Sequence, residues 1–375
     1  MGDRTLSSKL TKLALSLVLS AVAVGTAHAQ SDNSNESPEL KKASSLHGQG
    51  KFKEAEVIYR EILRKEPDNS TVHTRLGMAL AAMAMDKDPK TRKDMEETAI
   101  LEERQAIKLN PKDHMPHIQL GKIYANSGNY DEAIKEFNQA ITLKPDSYMA
   151  HVDLGGYYMH LDKAEDAIRM YKKANELKPE KATPYINLGV AYQSQGRFDE
   201  AVAIMKKALE LKLNKNEQNL ANFNLGNIYA DKGDADNAIA SYEASLKAEP
   251  GNLLATSGVG WMKGTKGQYD EDIALQKKVL KLAGGQRVIE SVARARMASA
   301  LAAKGDTKAA EAEFEKCAAM KPPFPVALVD YGHYLEKSGR KNEAKSQFQK
   351  ALEVQPSFKP AKEALAKLEG STQTK

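Results

Sequence analysis

Cysteine and aromatic residues are scarce in this chain of 375 residues. Cys317 is the only cysteine, so no disulfide can form within the chain and its stability must come from packing. Aromatic residues make up 6% of the sequence against 41% hydrophobic residues in all, which is typical of many amphipathic helices and not of a disordered chain. Cys317 itself is interpreted as a buried packing residue, with a reactive thiol as the alternative.

Specific catalytic motifs are also missing. The sequence contains no Gly-x-Ser-x-Gly, no His-Glu-x-x-His, no phosphate-binding loop and no cysteine pair. The formal net charge is +5, and residues 1–29 contribute two of those positive charges, so what remains is too weak and too dispersed to indicate a nucleic-acid-binding protein. The sequence therefore predicts a protein that is not an enzyme and that uses no cofactor and no metal.

Residues 1–29 have the pattern of a secretory signal peptide. Basic residues are followed by the apolar run LALSLVLSAVAV and by Ala27-His28-Ala29, which matches an Ala-x-Ala cleavage site. A membrane anchor is the alternative, although the apolar run is shorter than the ~20 residues that a spanning helix needs. We expect an exported chain, periplasmic or secreted, with no membrane span after cleavage. The polar residues 30–37, QSDNSNES, are predicted to form a flexible tether.

One stretch, from His114 to Leu213, repeats itself every 34 residues and indicates the architecture of the rest. Small residues recur at the eighth and twentieth places of each copy, where two helices can approach closely. Larger residues lie between them at helical spacing and are predicted to form the seam between the helices. In the first copy these are Leu120, Tyr124, Phe137 and Ile141, and in the third they are Leu188, Tyr192, Met205 and Leu209.

Glycine and proline mark the ends of the helices in each copy. Gly128 and Gly196 fall where the first helix should end, which is typical of a residue in the left-handed conformation just after a helix. Pro145 and Pro179 follow the second helix. Each copy is therefore predicted to be a helix, a tight turn and a second helix.

This spacing resembles that of the tetratricopeptide repeat family. The third copy supplies Tyr185, Leu188, Gly189, Tyr192, Ala201, Met205 and Ala208 at the places that the family pattern fixes, and Leu213 where the family has proline. The resemblance implies an all-α fold, a right-handed α-solenoid of helix-turn-helix repeats. We expect about nine repeats over residues 38–358, a C-terminal capping helix over 359–370 and a tail over 371–375.

Two repeats are irregular. The second contains ten extra residues around MDKDPKTRKDM, which we interpret as a solvated loop or a lengthened helix pair. The seventh has Asp272 where the pattern has alanine. Because a buried, unpaired carboxylate is costly, we expect a local shift of register that turns Asp272 outward.

In the tetratricopeptide family, certain places of the first helix line a concave groove that holds ligands. Carried onto this sequence, these places mix apolar with amide-bearing side chains, which suits an extended peptide. A dense basic clamp for a C-terminal carboxylate is missing. The predicted groove consists of Met115, Ile118, Gln119, Lys122, Met149, Val152, Asp153, Met159, Ile186, Asn187, Val190, Gln193, Phe223, Asn224, Asn227 and Trp261.

Histidine and tryptophan each leave two interpretations open. His73, His117 and His151 occupy the fourth place of three successive repeats, where they either replace a flat packing ring or could bind a transition metal in pairs. Trp261, the only tryptophan, either packs against a neighbouring helix or faces the groove.

The residues together predict a non-catalytic scaffold or adaptor that presents its concave groove to a peptide or partner protein in the cell envelope. The alternative is a structural subunit of an envelope enzyme or secretion complex that assembles through its convex face.

Overall fold

The structure is a computed structural model, and it describes residues 36–356 and 358–370. The predicted signal peptide, the first six residues of the predicted tether and the predicted tail lie outside these residues. The described residues form two compact units, residues 36–179 and residues from 180 onward, which we call the N-terminal and the C-terminal unit. They contain 19 helices and no strand, so the prediction of an all-α repeat fold is confirmed.

The N-terminal unit consists of four helix pairs. The helices are α1 (Pro38–Gly48), α2 (Phe52–Lys65), α3 (Ser70–Ala84), α4 (Pro89–Leu109), α5 (Met115–Asn126), α6 (Tyr130–Leu143), α7 (Tyr148–His160) and α8 (Ala164–Leu177). Each first helix packs against its own second helix and also contacts the first helix of the next repeat in the unit.

The C-terminal unit continues the pattern with five helix pairs and a last helix. The helices are α9 (Ala182–Ser194), α10 (Phe198–Leu209), α11 (Lys215–Lys232), α12 (Ala235–Ala248), α13 (Leu253–Thr265), α14 (Tyr269–Leu282), α15 (Arg287–Lys304), α16 (Thr307–Ala318), α17 (Pro325–Lys337), α18 (Lys341–Val354) and α19 (Lys359–Gly370). Ala361, Ala364 and Leu368 of α19 are buried in the same apolar cluster as Leu335 and Phe348.

The close approach of the two helices in a repeat depends on one contact between a glycine and a large side chain. A Cβ built on Gly121 would lie 2.9 Å from the Phe137 ring, closer than real Cβ atoms approach, so only glycine fits there. Phe137 is fully buried as a result. The same contact recurs in other repeats, between Gly155 and Tyr171, Gly189 and Met205, Gly226 and Tyr242, and Gly332 and Phe348.

The turns between helices confirm the predicted glycine caps. Gly128 and Gly196 have φ angles of +78° and +72°, in the left-handed region that glycine tolerates without strain. In the fourth repeat the corresponding turn residue is Asp162, with φ +58°. Short polar side chains such as aspartate are the main exceptions to glycine at such positions.

The ten extra residues of the second repeat lengthen its second helix. α4 has 21 residues, against 14 in α2 and α6, and it begins at Pro89 with Asp88 as its N-cap. Asp88 Oδ1 accepts hydrogen bonds from the backbone N–H groups of Lys90 and Thr91, which satisfies two of the donors that a helix start leaves free. Among the described residues, no helix is both long and apolar enough to cross a membrane.

Candidate ligand-binding surface

Eight of the sixteen predicted groove residues are buried and the other eight are half-buried. The buried ones are Ile118, Gln119, Ile186, Val190, Gln193, Phe223, Asn224 and Asn227. The half-buried ones are Met115, Lys122, Met149, Val152, Asp153, Met159, Asn187 and Trp261.

In the N-terminal unit, the predicted groove residues include an ion pair. Lys122 Nζ on α5 lies 2.8 Å from Asp153 Oδ2 on α7. The two charges neutralise each other across successive first helices, so Lys122 is not a free cation for a ligand. Gln119, also on α5, is buried, and its Nε2 has no hydrogen-bond partner in the described part of the chain.

The C-terminal unit carries a larger polar surface on its first helices, which we call the first-helix surface. Helices α9, α11, α13, α15 and α17 contact one another in sequence, so their corresponding places lie side by side. The polar residues and the one aromatic residue that define this surface are Asn187, Gln193, Asn224, Asn227, Ser257, Trp261, Arg296 and Asp330.

Arg296 joins two helices of the first-helix surface. Its Nη1 donates a 2.9 Å hydrogen bond to Ser257 Oγ on α13. Its guanidinium lies 4.8 Å from the ring centroid of Trp261, also on α13, in a cation–π contact. Trp261 is half-buried, so it both contacts the next first helix and keeps part of its ring exposed.

The charge on Arg296 is buried, with a relative exposure of 7%. Burial lowers the pKa of Arg296, while nearby Tyr242, Asp272 and Asp330 act in the opposite direction. A guanidinium stays protonated in proteins, so this position holds a permanent positive charge in a poorly solvated environment.

Four buried polar atoms of the first-helix surface have no hydrogen-bond partner among the described residues. Buried donors and acceptors are nearly always paired in native proteins, and an unpaired one costs about 1–3 kcal/mol. A bound polypeptide, which carries one donor and one acceptor on almost every residue, can supply the missing partners if the side chains that cover these atoms move aside on binding. The four atoms are Gln193 Oε1, Asn224 Oδ1, Asn227 Nδ2 and Arg296 Nε.

Other atoms of the same side chains are used to hold the surface in place. Asn227 Oδ1 accepts a 2.7 Å hydrogen bond from the Tyr242 hydroxyl. Gln193 Nε2 donates a 2.8 Å hydrogen bond to Asp231 Oδ2. These contacts fix the amide planes before any ligand arrives, which lowers the entropic cost of binding.

Ser257, Arg296 and Asp330 are not among the groove residues predicted from the sequence. The predicted groove ends in the seventh repeat, at Trp261. The same register applied to the eighth and ninth repeats places Arg296 and Asp330 at the sixth place of those repeats, where Asn187 and Asn224 stand in the fifth and sixth. A charged residue at that place was the signal that could have found them.

The expectation that Asp272 turns outward was wrong. Asp272 is buried, with a relative exposure of 2%, and no shift of register occurs, because Gly260 faces Gln276 as Gly226 faces Tyr242. The carboxyl group fits because Gly264 has no side chain to obstruct it, and its Oδ1 accepts a 2.8 Å hydrogen bond from Gln276 Nε2. Burial raises the pKa of Asp272 to about 6, against the opposing effects of Gln276 and Arg296.

The three histidines at the fourth place contact carboxylates and carbonyl groups. The Nδ1 atoms of His73 and His117 each lie 2.6 Å from a glutamate of the second helix, Glu102 and Glu136. His151 Nε2 lies 3.0 Å from the carbonyl oxygen of Pro145. Within residues 36–356 and 358–370, no three metal-ligating side chains come together.

Comparison with protein families gives matches to five models of one kind of repeat. Four are described as "Tetratricopeptide repeat" and match residues 146–214, 186–253, 104–135 and, twice with one model, 292–324 and 326–358. The fifth, "TPR repeat", matches residues 121–162. Together the matches span more than half of the 375 residues.

Individual relatives are distant. A segment of 77 residues is 38% identical to mouse (Mus musculus) DnaJ homolog subfamily C member 3, covering 20% of this chain and 15% of that protein's length. The crystal structure of MamA protein is 26% identical, with a TM-score of 0.41, and covers 45% of this chain and 91% of its own. The APC/C hetero-tetramer Cut9–Hcn1 is 12% identical, covers 88% of this chain and 75% of its own, and with a TM-score of 0.50 is similar in fold.

Proposed function

Because this chain belongs to the tetratricopeptide repeat family, we propose that it is a non-catalytic scaffold that holds a peptide or partner protein in a groove formed by its first helices. The observation that carries the proposal is the set of four buried, unpaired polar atoms on the first-helix surface. In the free chain they lower stability without contributing to the fold, whereas in a complex they add both affinity and specificity.

We place this activity outside the cytoplasm, in the periplasm or the medium. The support is the signal-peptide pattern of residues 1–29. The single cysteine agrees with this location, because Cys317 is fully buried and burial raises the pKa of its thiol to about 12, so it is not readily oxidised.

The proposed binding surface is tested by substituting two of its buried polar residues, Asn224 and Arg296. To identify the partner, a photo-crosslinking amino acid replaces the half-buried Asn187 in the full chain, which is expressed with residues 1–29 retained. Illumination of the native cell envelope then links the chain to the protein that it binds. With that partner purified, Asn224→Ala and Arg296→Ala are each expected to weaken binding at least about tenfold, because each removes a hydrogen-bonding group that the complex would satisfy.

A second candidate function, assembly through the convex face, is favoured by a different observation. Large apolar side chains are exposed on the second helices, among them Val57 on α2 and Leu101 on α4, with exposures of 55% and 65%. Leu101→Ser is therefore the matched control for the groove variants. Retained binding in Leu101→Ser together with loss in Arg296→Ala supports the groove, and the reverse result would replace it with the convex face.

Trp261 provides an independent optical test. Its ring contacts Arg296 and remains partly exposed, so a partner that engages the guanidinium changes the polarity around the only indole of the chain. We expect a tryptophan-free peptide derived from the partner to shift or quench the emission of the parent, and to leave that of Arg296→Ala unchanged. Saturable binding without any change in the parent would mean that the partner does not reach Trp261.

A further inference from the structure

The seventh repeat contains a chain of buried polar groups that runs from Arg296 to Asp272. Arg296 Nη1 donates to Ser257 Oγ at 2.9 Å, and Ser257 Oγ donates to Gln276 Oε1 at 2.7 Å. Gln276 Nε2 in turn donates to Asp272 Oδ1 at 2.8 Å, and to the Ser257 carbonyl at 3.0 Å. In the three bonds that link the four side chains, each donor lies on the Arg296 side, so each bond polarises the next.

This polar chain is not needed to build the repeat. The place of Asp272 is alanine in all eight other repeats, from Ala55 to Ala344. The place of Gln276 carries an apolar or aromatic side chain in every other repeat except the second. A polar chain that is absent from the equivalent positions, and that ends at the first-helix surface, is suited to a role in binding.

We propose that protonation of Asp272 regulates the first-helix surface by changing how much of the Arg296 positive charge is available to a bound partner. The proposal rests on the proposed function, because it assumes that Arg296 contacts the partner. When Asp272 is ionised it offsets the guanidinium through the hydrogen-bond chain. When Asp272 is neutral the guanidinium is less compensated and attracts an acceptor or anionic group of the partner more strongly.

The groups that face Asp272 support this coupling. The charged group acting on it is Arg296 of α15, and its own helix contributes Gln276. Helix α13 presents Ser257 and two glycines, Gly260 and Gly264, on the packed side.

The nearby surface charges are engaged elsewhere. Lys263 of α13 pairs with Glu271, and Lys304 of α15 pairs with Asp270, and both carboxylates are mostly exposed. Arg296 is also acted on by Asp330 of α17 and Tyr242 of α12, so Asp272 is not the only group that influences its charge.

The pH at which Asp272 titrates lies within the range of pH values that an exported protein encounters. Burial raises the pKa of Asp272 to about 6 from its usual value of 3.8. The first-helix surface should therefore be more positive below about pH 6 than above it. We expect the partner to bind at least about fivefold more tightly at the lower pH, and Asp272→Asn to bind at both pH values as the parent does at the lower one.

The coupling can be measured on the free chain with iodide as the probe. Iodide is an anion that quenches exposed indoles, and Trp261 is the only indole. We expect the iodide quenching constant to rise about twofold as the pH falls from about 7.5 to about 5, with a midpoint near pH 6. Quenching by neutral acrylamide, which does not sense charge, should stay constant.

Variants of matched charge separate this effect from the net charge of the protein. Asp272→Asn and the exposed Asp270→Asn remove one carboxylate each from the same helix. The first is expected to give the high quenching constant at both pH values, and the second to titrate as the parent does. Asp272→Ala is a second test, in case the asparagine variant does not fold, because alanine is the residue found at this place in the other repeats. It should also give the high quenching constant at both pH values.

Two results overturn the proposal: no pH dependence of iodide quenching in the parent, or pH dependence that persists in Asp272→Asn and Asp272→Ala. Failure of the binding surface has a different signature. If iodide quenching titrates as expected but Arg296→Ala binds the partner normally, the coupling is present and the proposed function is wrong.

Discussion

Replacing Glu103 by methionine is expected to raise the free energy of unfolding at pH 7 by about 2–4 kcal/mol. Glu103 on α4 is completely buried, and neither of its carboxylate oxygens has a hydrogen-bond partner in the described part of the chain. The hydroxyl of nearby Thr74 donates to the Ser70 carbonyl, and its opposing effect on the pKa of Glu103 is the smallest of those that act on this carboxyl group. Methionine has a similar length and no polar group, and Met205 already occupies the same place opposite Gly189 in the fifth repeat.

The gain should depend on pH in a defined direction. Burial, and then the charges of Asp113 and Glu102, raise the pKa of Glu103 well above its usual value of 4.5. The folded state therefore binds a proton that the unfolded state releases. The stability that comes from this proton is fully present below about pH 4.5 and is lost as the pH rises through the pKa of Glu103 in the folded state. The free energy of unfolding of the parent should fall as the pH rises from about 4.5 through the folded pKa of Glu103. Glu103→Met should not show the part of this fall that comes from Glu103.

Urea unfolding at about pH 5 and about pH 8 tests both statements. The control is Glu97→Met on the same helix, where the side chain is 62% exposed beside Lys93. This change should alter stability by less than about 0.5 kcal/mol at either pH. Destabilisation by Glu103→Met, or a pH dependence equal to that of the parent, would show that the Glu103 carboxyl is satisfied in solution.

Gly226→Ala is expected to lower the free energy of unfolding by about 1–3 kcal/mol, although alanine is the better helix former. A Cβ on Gly226 would lie 2.6 Å from the Tyr242 ring, and the opposite edge of that ring lies 2.8 Å from the Cβ position of Gly258. The Tyr242 hydroxyl is also held by Asn227 at 2.7 Å. The ring is confined on both sides and at its tip, so it cannot move away.

Gly189→Ala is the matched control, because it makes the same change at the same place of the preceding repeat. Its Cβ would meet Met205 Cε at 2.7 Å, which is the free end of a flexible side chain. Methionine can change its rotamer, so we expect a change within about 1 kcal/mol, in either direction. Equal thermal midpoints for the two variants would mean that the confinement of Tyr242 does not limit packing.

The regular repeats could be predicted in detail because each of their features is local. A glycine after a helix needs no partner elsewhere in the chain to favour a turn, and Gly128 and Gly196 have the predicted conformation. The contact between Gly121 and Phe137 also follows from spacing within one repeat. Because the same residues recur at the same spacing in several repeats, each of these local features is supported more than once by the sequence.

The polar residues of the irregular repeats could not be placed in this way. Asp272 was expected to turn outward because a lone buried carboxyl is costly, but its cost is reduced by Gln276 and by the space at Gly264. Those compensations come from two helices and are visible only when both are in position. Glu103 shows the opposite outcome, since it is buried with no comparable compensation.

The sequence by itself determined the kind of protein: the period of 34 residues, the small residues at the close approaches and the glycine turns specify helix pairs that stack on their neighbours. Only the tertiary structure decided where the chemistry lies. Arg296 comes from α15 and Ser257 and Trp261 come from α13, and their contacts depend on how one repeat packs on the next. Periodicity reports which face a side chain occupies, whereas its partners, its burial and the pKa that follows are set by residues distant in the chain.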